Sequence, residues 1–271
     1  MRTIRNDEQI IPRVSLELEQ SIVENAEQID KLYAHWNHYD ILPDVVGKLR
    51  ERSDIVASQF LIRESVGALS KAMIHDPFSG VNFSMRGRRY INLGEFDLAL
   101  ADFAVASRLL PENWYVWYHF GLCNLVLGDN ERADQAYQQC AQIPTTPSLE
   151  VALTNWRWIT FMRMSRKDDA EALLADVDAF APMDGTESYL RLLRLYRREL
   201  TPEEAMHTPD DDENPVLSAT TQSYGVANYY RVTGDMENYR KTLEKTLEIG
   251  RDEIWTCFGF AAAEYELKHL K

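Results

Sequence analysis

The sequence predicts an all-α solenoid of stacked helix–turn–helix units, and three observations lead there. Residues Gly80 to Asn113 hold two amphipathic runs on either side of a turn at Leu93-Gly94-Glu95. Small residues, Gly87 and Ala99, stand among Phe83, Tyr90, Phe96 and Phe103 at helical spacing, and Pro111 closes the unit. The same order of small, bulky and turn residues then returns without a gap over Trp114 to Pro147. Apolar residues recurring every three or four positions mark helices, and a fixed period marks a repeat architecture.

Counting Gly80 as position 1, Gly87 falls at 8, Tyr90 at 11, Gly94 at 15, Ala99 at 20, Phe103 at 24, Ala106 at 27 and Pro111 at 32. This spacing resembles the tetratricopeptide repeat (TPR), a helix–turn–helix of 34 residues. The resemblance implies helices that cross closely at positions 8 and 20, and a binding role without a named partner.

Residues 1–13 read as a flexible arm ahead of a first helix, with Pro12 suited to a helix start and Pro43 stopping its continuation. Val46, Leu49, Val56, Phe60, Val66, Leu69 and Met73 form a second helical stripe with a break expected near Ser53-Asp54. The N-terminal helices, 14–76, fall outside the repeat pattern. They are expected either to cap the first repeat or, through residues 14–74, to form a homodimer surface.

Residues 77–147 carry the two well-formed units. In the second, Trp117 stands at position 4, Gly121 at 8, Gly128 at 15, Ala133 at 20 and Tyr137 at 24, with Asp129 as helix cap. Residues 148–215 hold two degenerate units. The first has Trp158 at position 8 in place of a small residue. The second carries Tyr189, Leu193 and Tyr196, then the capping box Thr201-Pro202-Glu203-Glu204 and an acidic loop, 208–215. Residues 216–271 supply a last unit, capped by Asp235, and a closing helix from Asp252 to Leu270. The order of parts, with YLRLLRLYRRELTPEEA at 189–205 and YGVANYYRVTGDMENYRKTLEKTLE at 224–248, is similar to the NlpI-type family of bacterial TPR lipoproteins. That likeness implies an adaptor that holds other proteins, often as a dimer. The family's lipobox cysteine is missing here.

Composition limits the function classes. The net charge is −14 over 271 residues, which disfavours nucleic acid and anionic membranes as partners. No run approaches a transmembrane span, and the first residues show no export signal, so a cytoplasmic location is expected. Cys123, Cys140 and Cys257 have no metal or redox spacing. HExxH, GxSxG, P-loop, GxGxxG and CxxC motifs are all missing, so no catalytic residue and no cofactor are expected. The nearest approach to a metal site is His35-x-x-His38 with Asp40, weighed against simple flanking of Trp36 at a helix end.

In the TPR family, positions 2, 5, 9, 12 and 13 of each first helix line the concave groove. Carried onto this sequence, the resemblance names Arg88, Tyr115, Tyr118 with His119 beside it, Asn155 with Trp156, Arg163, Arg194, Arg198, Tyr224, Asn228 and Arg231. Arg191 lies one turn before Arg194, so Arg191, Arg194 and Arg198 make a basic stripe at i, i+3 and i+7. Arginine with aromatics suits carboxylates, so the leading expectation is an adaptor that binds a protein or an acidic peptide. The alternative is a TPR-fold enzyme or accessory subunit with a small molecule in the same aromatic, arginine-lined pocket. Groove function is weighed against a solvated face, with arginines favoured by helix dipoles, and a purely structural oligomer built through residues 14–74 is the third reading.

Overall fold

The computed structural model describes residues 16–34, 42–175, 177 and 187–270. The arm, the Pro12 helix start and the His35, His38 and Asp40 group lie outside the described residues. Every regular element among the described residues is an α-helix. The chain divides into two compact units, Met1–Pro111 and Glu112–Lys271.

The first unit contains α1 (Leu16–Ala34), α2 (Leu42–Ser58), α3 (Ile62–His75), α4 (Gly80–Asn92) and α5 (Phe96–Leu109). Consecutive helices pack together throughout. The stripe on α2 and α3 is spent inside this unit: Val46, Leu49, Val56 and Leu69 are buried, and Ile29, Val45 and Ala72 join Val46 and Leu49 in one cluster. Of these helices, α3 packs against α4. The break comes later than the sequence suggests, at Gln59-Phe60-Leu61, where Phe60 takes φ +63°. Ser53 is not a cap: it lies inside α2 and shares a buried hydrogen bond of 2.7 Å with Ser65 of α3. Two arginines of the Arg86-Gly87-Arg88-Arg89 run, Arg86 and Arg89, have structural partners. Arg86 grips Asp102 with two bonds of 2.8 Å and Ser70 with one of 3.0 Å, and Arg89 reaches Asp54 at 2.8 Å.

The second unit contains α6 (Trp114–Leu127), α7 (Asn130–Ala141), α8 (Pro147–Arg163), α9 (Lys167–Leu173), α10 (Glu187–Tyr196), α11 (Pro202–Ala205), α12 (Pro215–Thr233), α13 (Met236–Gly250) and α14 (Phe258–His269). The end signals act as the residue types dictate. Asp129 and Asp235 accept from the backbone N–H groups of Arg132 and Asn238, and Gly128 and Gly234 end α6 and α12 at φ +88° and +89°. The Thr201–Glu204 capping box forms with both bonds, 3.2 and 2.7 Å, and the helix it opens is one turn long.

Close helix crossing depends on the absent side chains. A Cβ on Gly87 would lie 2.9 Å from the Phe103 ring, and one on Gly121 only 2.3 Å from the Tyr137 ring. Trp158 occupies the corresponding place in α8 and stacks on Tyr196 of α10, with centroids 3.7 Å apart and planes 6° from parallel. The large indole excludes the approach that Gly87 and Gly121 allow, and its partner helix α9 has only seven residues.

No helix of the described residues is long and apolar enough to cross a membrane. Among those residues, no group of three His, Cys, Asp or Glu side chains is placed to hold a metal ion.

Candidate functional site

The inward residues of the second unit surround two different features. The first is an aromatic and ionic cluster that α14 closes. Trp156 is its hub: its indole N–H donates to the Tyr118 hydroxyl at 2.7 Å, and Tyr118 stacks on Trp114 at 4.6 Å. Phe258, the first residue of α14, meets Trp156 edge-on at 5.2 Å and Tyr224 at 5.9 Å. One shell out, the Tyr196 hydroxyl donates to Asn155 Oδ1 at 2.9 Å. The Trp156 indole and the Tyr196 hydroxyl thus each reach an acceptor, and a buried donor left alone costs about 1–3 kcal/mol.

Deeper along α14, Glu266 collects three donors. Arg163 reaches its Oε1 at 3.0 Å, Arg231 the same oxygen at 2.9 Å, and the Tyr239 hydroxyl its Oε2 at 2.8 Å. Arg163 also donates to the Leu125 carbonyl and to Asn228 Oδ1, and Asn228 in turn donates to the Tyr224 carbonyl. The Arg163 and Glu266 side chains are 5% and 4% exposed. Burial works against the Arg163 charge, but the Glu266 carboxylate with its neighbours outweighs it, so the guanidinium pKa lies above its ordinary value. Burial pushes the Tyr224 and Tyr239 phenols up, and the Glu266 charge adds to it.

Asn155, Trp156, Arg163, Tyr224 and Asn228 are buried, where the resemblance sets them on a groove open to a partner. Arg231 stays partly exposed at the rim of the cluster. Elsewhere in this unit, Tyr115 is 53% exposed, and its carbonyl accepts from His119 Nδ1 at 2.6 Å. In the first unit, Arg88 is exposed on α4. The 191–198 stripe is interrupted: Arg191 donates to the Glu204 carbonyl of α11, and α10 ends at Tyr196. Arg194 is exposed on that helix, whereas Arg198 lies beyond it with φ +62°.

Arg198 borders the second feature, a cavity of about 640 Å³ among the ends of α8, α10 and α12 and the side of α9. Trp158 and Met162 from α8, Leu174 after α9, and Tyr196 give it an apolar wall. Lys167, Arg197 and Arg198 bring three cations to it and Glu171 one carboxylate; Arg197 also pairs with Glu199 at 2.8 Å. Sequence reasoning missed Glu266, Lys167, Trp158 and Tyr196 as site residues. Trp158 at a position that favours glycine was the available signal, since a side chain too large for the crossing leaves space beside it. Arg163, Asn228 and Arg231 on inward positions likewise required an acidic partner from elsewhere in the chain.

No family model and no curated protein matches the sequence. Solved structures do. A crystal structure of a tetratricopeptide repeat protein from Parabacteroides merdae matches with a TM-score of 0.56 at 15% identity, covering 92% of this chain and 100% of that one. The Cut9–Hcn1 hetero-tetramer of the APC/C aligns with a TM-score of 0.46 at 14% identity, over 93% of this chain and 48% of that one. YrrB, described as a TPR protein with an unusual peptide-binding site, gives 0.39 at 13% identity, over 70% and 95%. At these identities the likeness is one of fold: the chain has the all-α architecture of tetratricopeptide-repeat solenoids.

Proposed function

We propose that this chain is a protein-interaction scaffold and that the cavity beside α9 receives an acidic segment of its partner. The observation that carries this reading is the placing of Lys167, Arg197 and Arg198 around the Trp158–Tyr196 stack, in a chain whose net charge is −14. Arginine pairs with carboxylates through two parallel N–H bonds, and the aromatic wall adds apolar contact for the rest of the segment. Arg194 is exposed on α10, the helix whose end, Tyr196, borders the cavity. Arg198 takes φ +62°, the same left-handed turn that Gly128 and Gly234 take at the ends of α6 and α12, with its N–H on the Leu195 carbonyl as that of Gly128 is on Leu125. Adaptor work through this cavity fits the binding role that the repeat architecture implies, with no catalytic group, metal or cofactor.

The volume also lies in the range of small-molecule sites, roughly 300–1,000 Å³, so a small polycarboxylate is the second reading. A panel of labelled Glu- and Asp-rich peptides separates the two, read by fluorescence polarisation and by Trp emission, with citrate as competitor. Peptide binding that citrate displaces only weakly supports the scaffold; tight citrate binding with no peptide binding supports the second reading. Arg198→Gly should weaken capture about ten- to a hundredfold, the worth of one charged hydrogen bond. It should not lower stability, because glycine relieves the left-handed strain. Added salt should weaken binding further. Equal capture by wild type, Arg198→Gly and Lys167→Ala would remove the cavity from the function.

A further inference from the structure

The exposed face of α5 departs from that of its counterpart one repeat later. At corresponding positions 34 residues apart, α7 presents Glu131, Arg132, Gln135, Gln139 and, at its end, Gln142, all polar and mostly exposed. On α5 those positions are Asp97, Leu98, Ala101, Val105 and Arg108. Leu98 is 50% exposed and Val105 36%, and Leu109, one turn on, is 37% exposed. Residues at i, i+3, i+7 and i+11 share one side of a helix, so Leu98, Ala101, Val105 and Leu109 form a continuous apolar stripe. Gly80 lies against Leu109 and Leu110, which brings Phe78, 82% exposed, close to the Leu109 end. Contiguous exposed apolar surface marks an interaction site, whereas scattered single residues do not.

We propose that this stripe is a homodimer interface in which α5 pairs antiparallel with α5 of a second copy. The charge pattern selects that occupant. An acid, Asp97, stands at one end of the stripe and a base, Arg108, at the other; both are exposed, and neither has an ion-pair partner among the described residues. A two-fold interface must be self-complementary, and this arrangement is. Each residue rises about 1.5 Å along a helix. A two-fold axis beside the midpoint of Ala101 and Val105 then leaves Asp97 about 9 Å to one side and Arg108 about 7.5 Å to the other. Across that axis each Asp97 comes to the level of Arg108 of the second copy, well within the reach of an arginine. Ala101 beside the axis lets the two backbones approach, while Leu98 packs into the turn around Val105 and Leu109. A parallel pairing would instead set Asp97 against Asp97 and Arg108 against Arg108. The surface differs from the 14–74 stripe, whose side chains are largely consumed inside the unit.

The test is the mass of the full-length chain by light scattering along a dilution series from tens of micromolar downward. Wild type should approach twice 31.4 kDa at the upper end. Leu98→Glu with Val105→Glu should give the 31.4 kDa species with an unchanged helical circular dichroism spectrum, since both side chains are exposed. Asp97→Arg alone and Arg108→Asp alone should each weaken association by roughly three- to thirtyfold, because each removes two symmetry-related exposed pairs. The two changes together should restore it. A wild-type monomer at every concentration overturns the proposal and gives the face to a different partner. So does a dimer indifferent to the α5 variants, or a charge reversal that fails to rescue.

Discussion

Removing the Glu266 carboxylate should be among the most damaging single changes in the second unit. In Glu266→Ala the Arg163 guanidinium stays buried with only the Leu125 carbonyl and the Asn228 amide oxygen, and the Tyr239 hydroxyl loses its acceptor. Breaking a buried ion pair by deleting one partner costs about 3–5 kcal/mol, because the remaining charge is left unneutralised. For a unit of this size each kcal/mol lowers Tm by about 2–4 °C, so the expected fall is roughly 6–20 °C. Thermal melts followed by near-UV circular dichroism read it, since the Trp156, Tyr224 and Phe258 contacts report on α14 docking. Hydrogen exchange should show lost protection over Phe258–His269. Glu248→Ala, exposed on α13, is the control and should stay within about 0.5 kcal/mol. The double variant Arg163→Met with Glu266→Met should be less destabilised than either single change, because neither charge remains to be desolvated. A melting temperature for Glu266→Ala within about 2 °C of wild type, equivalent to about 1 kcal/mol, or additive single changes in the cycle, would refute the reasoning.

Two further outcomes follow from the helix crossings and from one histidine. Gly121→Ala should destabilise by about 1–3 kcal/mol, since its Cβ would stand 2.3 Å from the Tyr137 ring, whereas Gly47→Ala, with nothing within 4 Å, should stabilise by about 0.5–1 kcal/mol; chemical denaturation measures both, and equal effects would disprove the close crossing. His75 accepts from the Tyr33 hydroxyl at 3.0 Å when neutral, and burial holds its pKa below 6.5. The folded state therefore binds fewer protons than the unfolded one, so this contribution is present above about pH 6.5 and is lost as pH falls through the folded pKa. His75→Gln should flatten the stability profile between pH 7 and pH 5; an unchanged slope would clear this residue of the effect.

Much of the fold was legible because short-range signals carried it. Asp129 and Asp235 cap helices because their side chains reach the third backbone N–H, a property of the residue and its neighbours alone. Gly87 and Gly121 announced helix crossings because a missing side chain matters only where something large approaches. The α2–α3 break was misplaced because Ser53 is as good a cap as it is a buried hydroxyl, and only its partner Ser65 decides between the two. The candidate site was legible in part. Repeat positions placed Asn155, Trp156, Arg163, Tyr224, Asn228 and Arg231 inward, but a repeat pattern says nothing about what occupies the inside. That depends on α14 meeting α6, α12 and α13, which are distant in sequence from it to different degrees. The cavity was hidden for the opposite reason: it arises where Trp158 violates the pattern.

The two features of the second unit show why the same residue type serves different ends at different depths. Arg163 lies where water cannot reach it, so its charge can be tolerated only against a fixed acid, and Glu266 supplies that acid from the chain itself. Burial of the pair sets where α14 sits, because a shift by one residue would turn Glu266 away from Arg163, Arg231 and Tyr239 together. Arg198 lies past a helix end, exposed, in a strained backbone turn and beside an aromatic wall. Its charge is already solvated, so it needs no partner to fold, and a carboxylate brought by another molecule would exchange one favourable environment for another. The proposed function accordingly sets recognition at the ends of α8 and α10, where charge is available, and not among the inward arginines, whose partner is already in place.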